Sequence, residues 1–417
     1  MIRDSSVDAE QFKYARYYVG TGVPLRILFV GQRILPVRHS ADKNFWLDMM
    51  HGLLASGHDI QALSIMLEDP GGDSLPIRAV RPIPIFLKPD PRFNRAHEFL
   101  AGTNNYASKT TTLPWMAREI RRLRKEFRPD VVHFMDNYGP GLIGIRAACG
   151  RLPMAISAPT YQRAKPLYDL FLLTSFRAFD AIVPFSDAYR RRLLELQVPS
   201  TRIRRIRWGV DVRAFAPPSE AQRESARRTL GITDDRFVVL WTGFIQQTDE
   251  VDLQTSVRVA DLALRGAASR FEFVFCFKPE HFKDGYRKLE RPGLRVLHHA
   301  DGFRAAQIAA DALLSPIHDT ASTAAPPLVW LESMAMGIPI ITTHVPGSDE
   351  VVLDGRSGVE FRSPEEAVER LRGLQSDPEL HRRFREGARE VVAERFSVDR
   401  SLREYIQLWS DLADRST

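Results

Sequence analysis

Short, largely apolar runs recur along the chain, most followed by a loop and then by a stretch with helical spacing. The first run is Leu25–Val30, followed by Gly31 and a polar loop. Ala41–Ser56 comes next, with Phe45, Leu47, Met50, Leu53 and Leu54 on one helical face. Gly57 stops that helix, and His58–Ile65 reads as the next strand. A basic helix over Pro114–Phe127 leads through Pro129 and Asp130 into the strand Val131–Phe134. Met154–Ser157, Ala181–Pro184 and Ile203–Arg207 read as further strands. Runs apolar on both faces are how parallel, doubly covered strands read. Their alternation with helices predicts a doubly wound α/β domain.

The pattern then restarts. Phe237–Trp241, Phe271–Phe277, Gly293–His298, Leu313–Pro316, Ile338–Thr342 and Gly358–Phe361 read as strands. Helices are expected over Asp252–Gly266, Ala305–Ala312 and Leu328–Met336, and from Pro364 the chain is helical and charged. The expected organisation is an extension over 1–24, a Rossmann-like domain over 25–211, a second over 212–395, and a helix over 396–417 that returns to the first. Ligands are expected in a cleft between the two, at the carboxyl ends of strands.

Composition narrows the picture in a few places only. The 417 residues suit two or three domains, and 26% charged with 44% hydrophobic residues is globular composition. Two cysteines, Cys149 and Cys276, exclude a disulfide framework or a cysteine-rich metal site. The N-terminal stretch lacks the apolar core of a signal peptide, and no apolar stretch reaches the ~20 residues of a membrane span. A cytoplasmic protein is expected, with peripheral contact at the inner face of the membrane as an option. The net charge of +6 fits phosphorylated ligands or an anionic surface. It comes with no nucleic-acid recognition motif, so no nucleic-acid partner is expected.

The segment Leu328–Glu350 (LVWLESMAMGIPIITTHVPGSDE), continued by VVLDGRSGVEF, carries the strongest signature. It resembles the donor-binding segment of family 4 (group 1) glycosyltransferases of the GT-B fold. Glu332, Met334, Gly337, Pro339, Gly347, Glu350, Asp354, Gly355 and Gly358 match that family's pattern. Phe179–Ser186 and Ile203–Asp211 are similar to its crossover segment, and the similarity runs over roughly 25–410. The resemblance implies an α/β GT-B fold: two Rossmann-like domains facing across a cleft, with a C-terminal helical tail. It implies retaining transfer of a sugar from a nucleotide-sugar donor to a glycan, lipid-linked or small-molecule acceptor. Neither a bound metal nor a cofactor is implied; the nucleotide-sugar is a co-substrate.

Individual residues carry two readings each. Glu332 is an acid in an otherwise apolar helix. It is either the carboxylate that accepts the donor's two ribose hydroxyls or a surface position. Leu328 and Val329 follow two prolines, and their first-turn amides can hold a phosphate oxygen. Gly243 follows the strand Phe237–Trp241, where the family's phosphate loop begins. Phe244 and Asp249 stand where the family has arginine and lysine, so substitute cations are sought at Arg33, Lys43, Lys278 and His281. Ala324 replaces the family's sugar-contacting glutamate, with Thr323 among the candidates to take over. Met135 stands in the place of the family's histidine, His133 reads as a buried strand residue, and Asp136 is the candidate catalytic-side group or a helix cap. The helix over Pro114–Phe127 offers Arg118, Arg121, Arg122, Arg124, Lys125 and Arg128, with Trp115 and Met116, to an anionic membrane surface or simply to solvent. The four departures at Phe244, Asp249, Ala324 and Met135 also allow a non-catalytic GT-B-like partner or scaffold.

Overall fold

Six parallel strands, β1 (Arg26–Gln32), β2 (Asp59–Ile65), β3 (Ile77–Val80), β4 (Val131–Phe134), β5 (Met154–Ala158) and β6 (Ala181–Pro184), form the first sheet in the order β3-β2-β1-β4-β5-β6. The computed structural model describes residues 23–32, 41–65, 75–80, 113–135, 142–158, 173–243, 250–266, 269–277, 284–318 and 326–415. Helix α1 (Ala41–Ala55) links β1 to β2 (Asp59–Ile65), and β3 (Ile77–Val80) lies outside β2. Helix α2 (113–126) precedes β4 (Val131–Phe134). Then come α3 (Leu142–Cys149), β5 (Met154–Ala158), β6 (Ala181–Pro184) and α4 (Asp187–Glu195). Ser186 caps α4 by accepting the Tyr189 amide at 3.1 Å.

A second unit has the same construction. It comprises α5 (Glu220–Leu230), β7 (Phe237–Gly243), α6 (Glu250–Ala263), β8 (Phe271–Phe277), β9 (Leu294–His298) and α7 (His299–Ala309). It continues with β10 (Ala312–Ser315), α8 (Leu328–Ala335), β11 (Ile340–Thr343) and β12 (Gly358–Phe361), and ends with α9 (Pro364–Ser376) and α10 (Pro378–Arg395). Its parallel sheet runs β12-β11-β10-β7-β8-β9. The order reverses between β10 and β7, the topological switch point of such a sheet. Phe237, Val239 and Trp241 of β7 and Phe271, Phe273, Phe275 and Phe277 of β8 fill its core. Gly358 is where β12 approaches β11 most closely: a Cβ there would collide with the Ile340 carbonyl.

The last helix, α11 (Val398–Asp414), belongs to the first unit, and the second spans 208–397. Its buried residues Val398, Leu402, Tyr405, Leu408, Trp409 and Leu412 fall at helical spacing. Leu402 packs on Gly52 of α1, and Ser401 Oγ donates to the Arg207 carbonyl at 2.9 Å.

Three expectations are corrected. Ile203–Arg207 is not a strand: Ile203 makes a single bridge to Ile182 before the chain leaves the sheet. The helix expected over Ala305–Ala312 spans His299–Ala309, with a break at Gly302, and Ala312 already belongs to β10. Strand β3 is an addition to the expected set, masked in the sequence by the proline-rich stretch that follows it.

Candidate functional site

In the second unit the polar groups gather at the carboxyl ends of β7, β10 and β11, beside the amino ends of α6 and α8. Helix α8 starts at Leu328 with Pro327 as its N-cap, and no side chain caps it. Pro326 and Pro327 have no N–H to offer. The Leu328 and Val329 amides are the first-turn donors that helix geometry leaves over. The Trp330 amide is already bonded to the Pro327 carbonyl at 3.0 Å. No acidic residue lies in that turn, so no side chain of the helix's own first turn neutralises its positive end.

The start of α8 is fixed by Trp330. Its ring is fully buried, and Nε1 donates to Ser315 Oγ at the end of β10, at 2.8 Å. Gly337 fixes the end. It adopts φ +76°, accessible to glycine, while Ile338 N bonds back to the Ser333 carbonyl at 2.9 Å. Glu332 lies one turn beyond the Leu328 and Val329 amides, on the same helix, and is half-buried. Arg304 of α7 stands in its field. Burial lowers the Arg304 guanidinium's pKa, and the Glu332 carboxylate opposes that shift. Arg304 is held by Gln307 Oε1 at 2.8 Å and the Ala214 carbonyl at 3.3 Å, and lies over the Phe215 ring at 5.3 Å.

The loop leaving β10 is tied down as well. The carboxylate of Asp252, in the first turn of α6, accepts from the His318 amide at 3.0 Å and from His318 Nδ1 at 2.6 Å. Thr343 Oγ1, ending β11, accepts the Ile317 amide at 2.7 Å. The ends of β10 and β11 and the start of α6 are thus held together. Gly243 ends β7, and a Cβ there would lie 3.1 Å from the Trp241 indole. Among the described residues, no cluster of three His, Cys, Asp or Glu side chains is placed to hold a metal ion.

Gly243, Leu328, Val329 and Glu332 therefore lie on elements that meet at one end of one sheet. Asp136, Lys278, His281, Thr323 and Arg33 lie outside the described residues, as do Phe244, Asp249 and Ala324. Lys43 sits in the first turn of α1, with its side chain outside the described set. The sequence did not point to Arg304 or to the Asp252–His318 pair. The pair is 66 residues apart, and no local pattern links its members.

In the first unit, His133 is fully buried. Its Nδ1 accepts from Trp409 Nε1 at 3.2 Å, and its Nε2 meets Ser157 Oγ at 3.0 Å. Ser157 Oγ lies 2.6 Å from the Tyr405 hydroxyl. An indole N–H only donates, so the neutral imidazole carries its hydrogen on Nε2. Burial lowers the pKa of His133 to about 3. This is a structural histidine. Met135 is 2% exposed, with its amide on the Val30 carbonyl at 2.9 Å. On α2, Trp115 is 43% exposed but Met116 is fully buried. Met116 is therefore removed from the pair considered for insertion at a membrane surface. No helix among the described residues is long and apolar enough to cross a membrane.

Two six-stranded parallel sheets with flanking helices are the construction of the GT-B fold. Solved structures agree on the fold. A glycosyltransferase from Rickettsia africae superposes with a TM-score of 0.71 at 13% identity, covering 94% of this chain and 99% of that one. HepE of Anabaena, in complex with UDP, gives 0.67 at 14% identity, covering 93% and 100%.

The model for Glycosyltransferase Family 4 matches residues 43–214, and that for Glycosyl transferases group 1 matches residues 304–391. The chain belongs to the family 4, group 1 glycosyltransferases. A D-inositol 3-phosphate glycosyltransferase from Acidothermus cellulolyticus is 30% identical over 256 residues, 58% of this chain and 55% of that protein. The match thus spans about half of that relative's length. An alpha-D-kanosaminyltransferase from Streptomyces kanamyceticus is 27% identical over 314 residues, 69% of this chain and 78% of that protein.

Proposed function

We propose that the protein transfers a sugar from a nucleotide-sugar donor to a hydroxyl acceptor with retention of anomeric configuration. The observation that carries this is the start of α8: amides at Leu328 and Val329 with no partner among the described residues, no acid in the first turn, and Glu332 one turn further on. A departing nucleoside diphosphate gains negative charge in the transition state. Preoriented amides at a helix start stabilise that charge without reorganising. Glu332 accepts the two ribose hydroxyl protons and sets the register of the nucleotide, so that the diphosphate meets the amides. Gly243 leaves room at the end of β7. Thr323 contacts the sugar, and Lys278, Arg33 and Lys43 supply cations that the family's usual arginine and lysine positions lack here.

Retention follows if the acceptor hydroxyl attacks from the face the diphosphate leaves. The C1–O bond to phosphate breaks as the new C1–O bond forms, and the departing phosphate oxygen takes the acceptor's proton. Asp136 orients that acceptor. The name of one relative carries D-inositol 3-phosphate, a phosphorylated polyol. Small molecules therefore stand beside glycans and lipid-linked sugars as acceptors.

The test is a panel of nucleotide sugars incubated with acceptor mixtures, read by product mass spectrometry and the anomeric proton coupling of the product. The expected result is one donor consumed and a product with the donor's anomeric configuration. An inverted product would overturn the retaining mechanism. Failure of every donor to react would overturn the transfer reading.

A further inference from the structure

A recess of about 560 Å³ opens in the first unit at the amino ends of β5 and β6. This is the sheet edge opposite to the one where ligands of open α/β sheets collect. Arg146, Arg151, Arg202 and Arg415 line it, with Asp180 and Thr201. The arginines come from four separate places: the last turn of α3, the turn after it, the 3-10 helix Ser200–Arg202, and the residue after α11.

The charges do not cancel. The Asp180 carboxylate is already committed: its Oδ2 accepts Arg146 Nη1 at 2.8 Å and the Met154 amide at 2.8 Å. Arg146 also donates to the Leu152 carbonyl at 3.1 Å, which fixes it in the wall. The side chains of Arg151, Arg202 and Arg415 make no hydrogen bond or ion pair with any of the described residues. Three exposed guanidiniums thus face one recess whose lining carboxylate is already occupied. A helix carboxyl end favours a nearby cation, which accounts for single arginines beside α3 and α11. It accounts less well for Arg202, which ends a single 3-10 turn too short to sum a comparable dipole and yet meets the same recess.

We propose that this recess is a phosphate-binding site, distinct from the nucleotide cradle of the second unit, that takes a phosphomonoester or diphosphate group. Planar guanidinium forks match phosphate oxygens in pairs, and several of them converging select for a multiply charged group. The volume lies within the range of small-ligand pockets. The site stands independently of the transfer reading, because none of its residues belongs to the donor cradle.

The experiment is calorimetric titration of the full chain with inorganic pyrophosphate, comparing wild type with Arg151→Gln/Arg202→Gln. Flotation with vesicles of phosphatidic acid or phosphatidylcholine forms a second arm. Neither arginine side chain is bonded within the described fold, so the ligand-free melting temperature should be unchanged. The expected result is one pyrophosphate site fewer in the double variant, or that site weakened about a hundredfold, at roughly tenfold for each guanidinium removed. Arg415→Gln should weaken the same site about tenfold on that basis. Binding of phosphatidic acid vesicles alone, abolished in the double variant, would support the site with a lipid headgroup as its source. Unchanged site number and affinity in the double variant, or no binding in either arm, would overturn the proposal.

Discussion

Replacing Asp311 with alanine should destabilise the protein by about 3–5 kcal/mol, the cost of removing one partner from a buried charge network. Asp311 sits immediately before β10. Its Oδ1 accepts Arg223 Nη2 at 2.6 Å, and its Oδ2 accepts Arg227 Nη2 at 2.9 Å and the Val238 amide at 2.8 Å. Its own carbonyl accepts His381 Nε2 from α10 at 2.9 Å. One residue therefore joins α5, the start of β7, the start of β10 and α10. Arg223 and Arg227 are 12% and 8% exposed, so water cannot replace the carboxylate. Alanine would leave two guanidiniums and one strand amide without it. Asparagine keeps an oxygen for the Val238 amide and loses the charge, so it should cost less than alanine. Denaturant unfolding checks both: the midpoint should fall with an unchanged slope. A loss under about 1 kcal/mol for alanine would contradict the account, because that is the worth of an exposed pair.

The second large effect concerns acid. His133 titrates near pH 6.5 when unfolded and at about 3 when folded. Between those values the unfolded chain binds more protons, so stability is complete above pH 6.5 and falls as the pH drops. The loss is about 1.4 kcal/mol per pH unit and roughly 5 kcal/mol by pH 3. The geometry explains why the folded state resists the proton. Trp409 Nε1–H already occupies Nδ1. The ring is packed against Phe29, Trp46, Tyr405 and Trp409, with centroids 5.0–5.8 Å away. Protonation would break the Trp409 bond and leave a cation among aromatic rings. Other carboxylates and histidines also titrate, so the measurement compares wild type with His133→Gln. Between about pH 4 and 6 the stability of wild type should fall more steeply by about one proton's worth per pH unit. Parallel curves would show that His133 does not carry the effect.

Much of the fold is legible in the sequence. The strands Phe271–Phe277, Val131–Phe134 and Ala181–Pro184 stand as read, because a buried parallel strand leaves a short, largely apolar run bounded by turn residues. Ile203–Arg207 misled because a single isoleucine finds a strand partner, while the arginines after it point elsewhere. Glu332 was legible as a charge in an apolar helix, and Gly337 and Pro339 bracket the end of that helix. The His133 network was not legible. Its partners Tyr405 and Trp409 lie more than 270 residues away, and the link exists only because the last helix returns to the first sheet. The family's arginine and lysine places hold Phe244 and Asp249, and no local motif in the sequence names a substitute cation.

The nucleotide cradle is checked by nucleoside diphosphate binding to wild type and to Glu332→Gln, read by calorimetry over a panel of bases. The account predicts that at least one diphosphate binds wild type. It also predicts that Glu332→Gln weakens that nucleotide by roughly ten- to a hundredfold, the worth of a charged hydrogen-bond acceptor. The same variant should bind free pyrophosphate as wild type does. Equal nucleotide affinity in the two proteins would contradict the ribose assignment. Silence from every base tested would contradict the cradle itself.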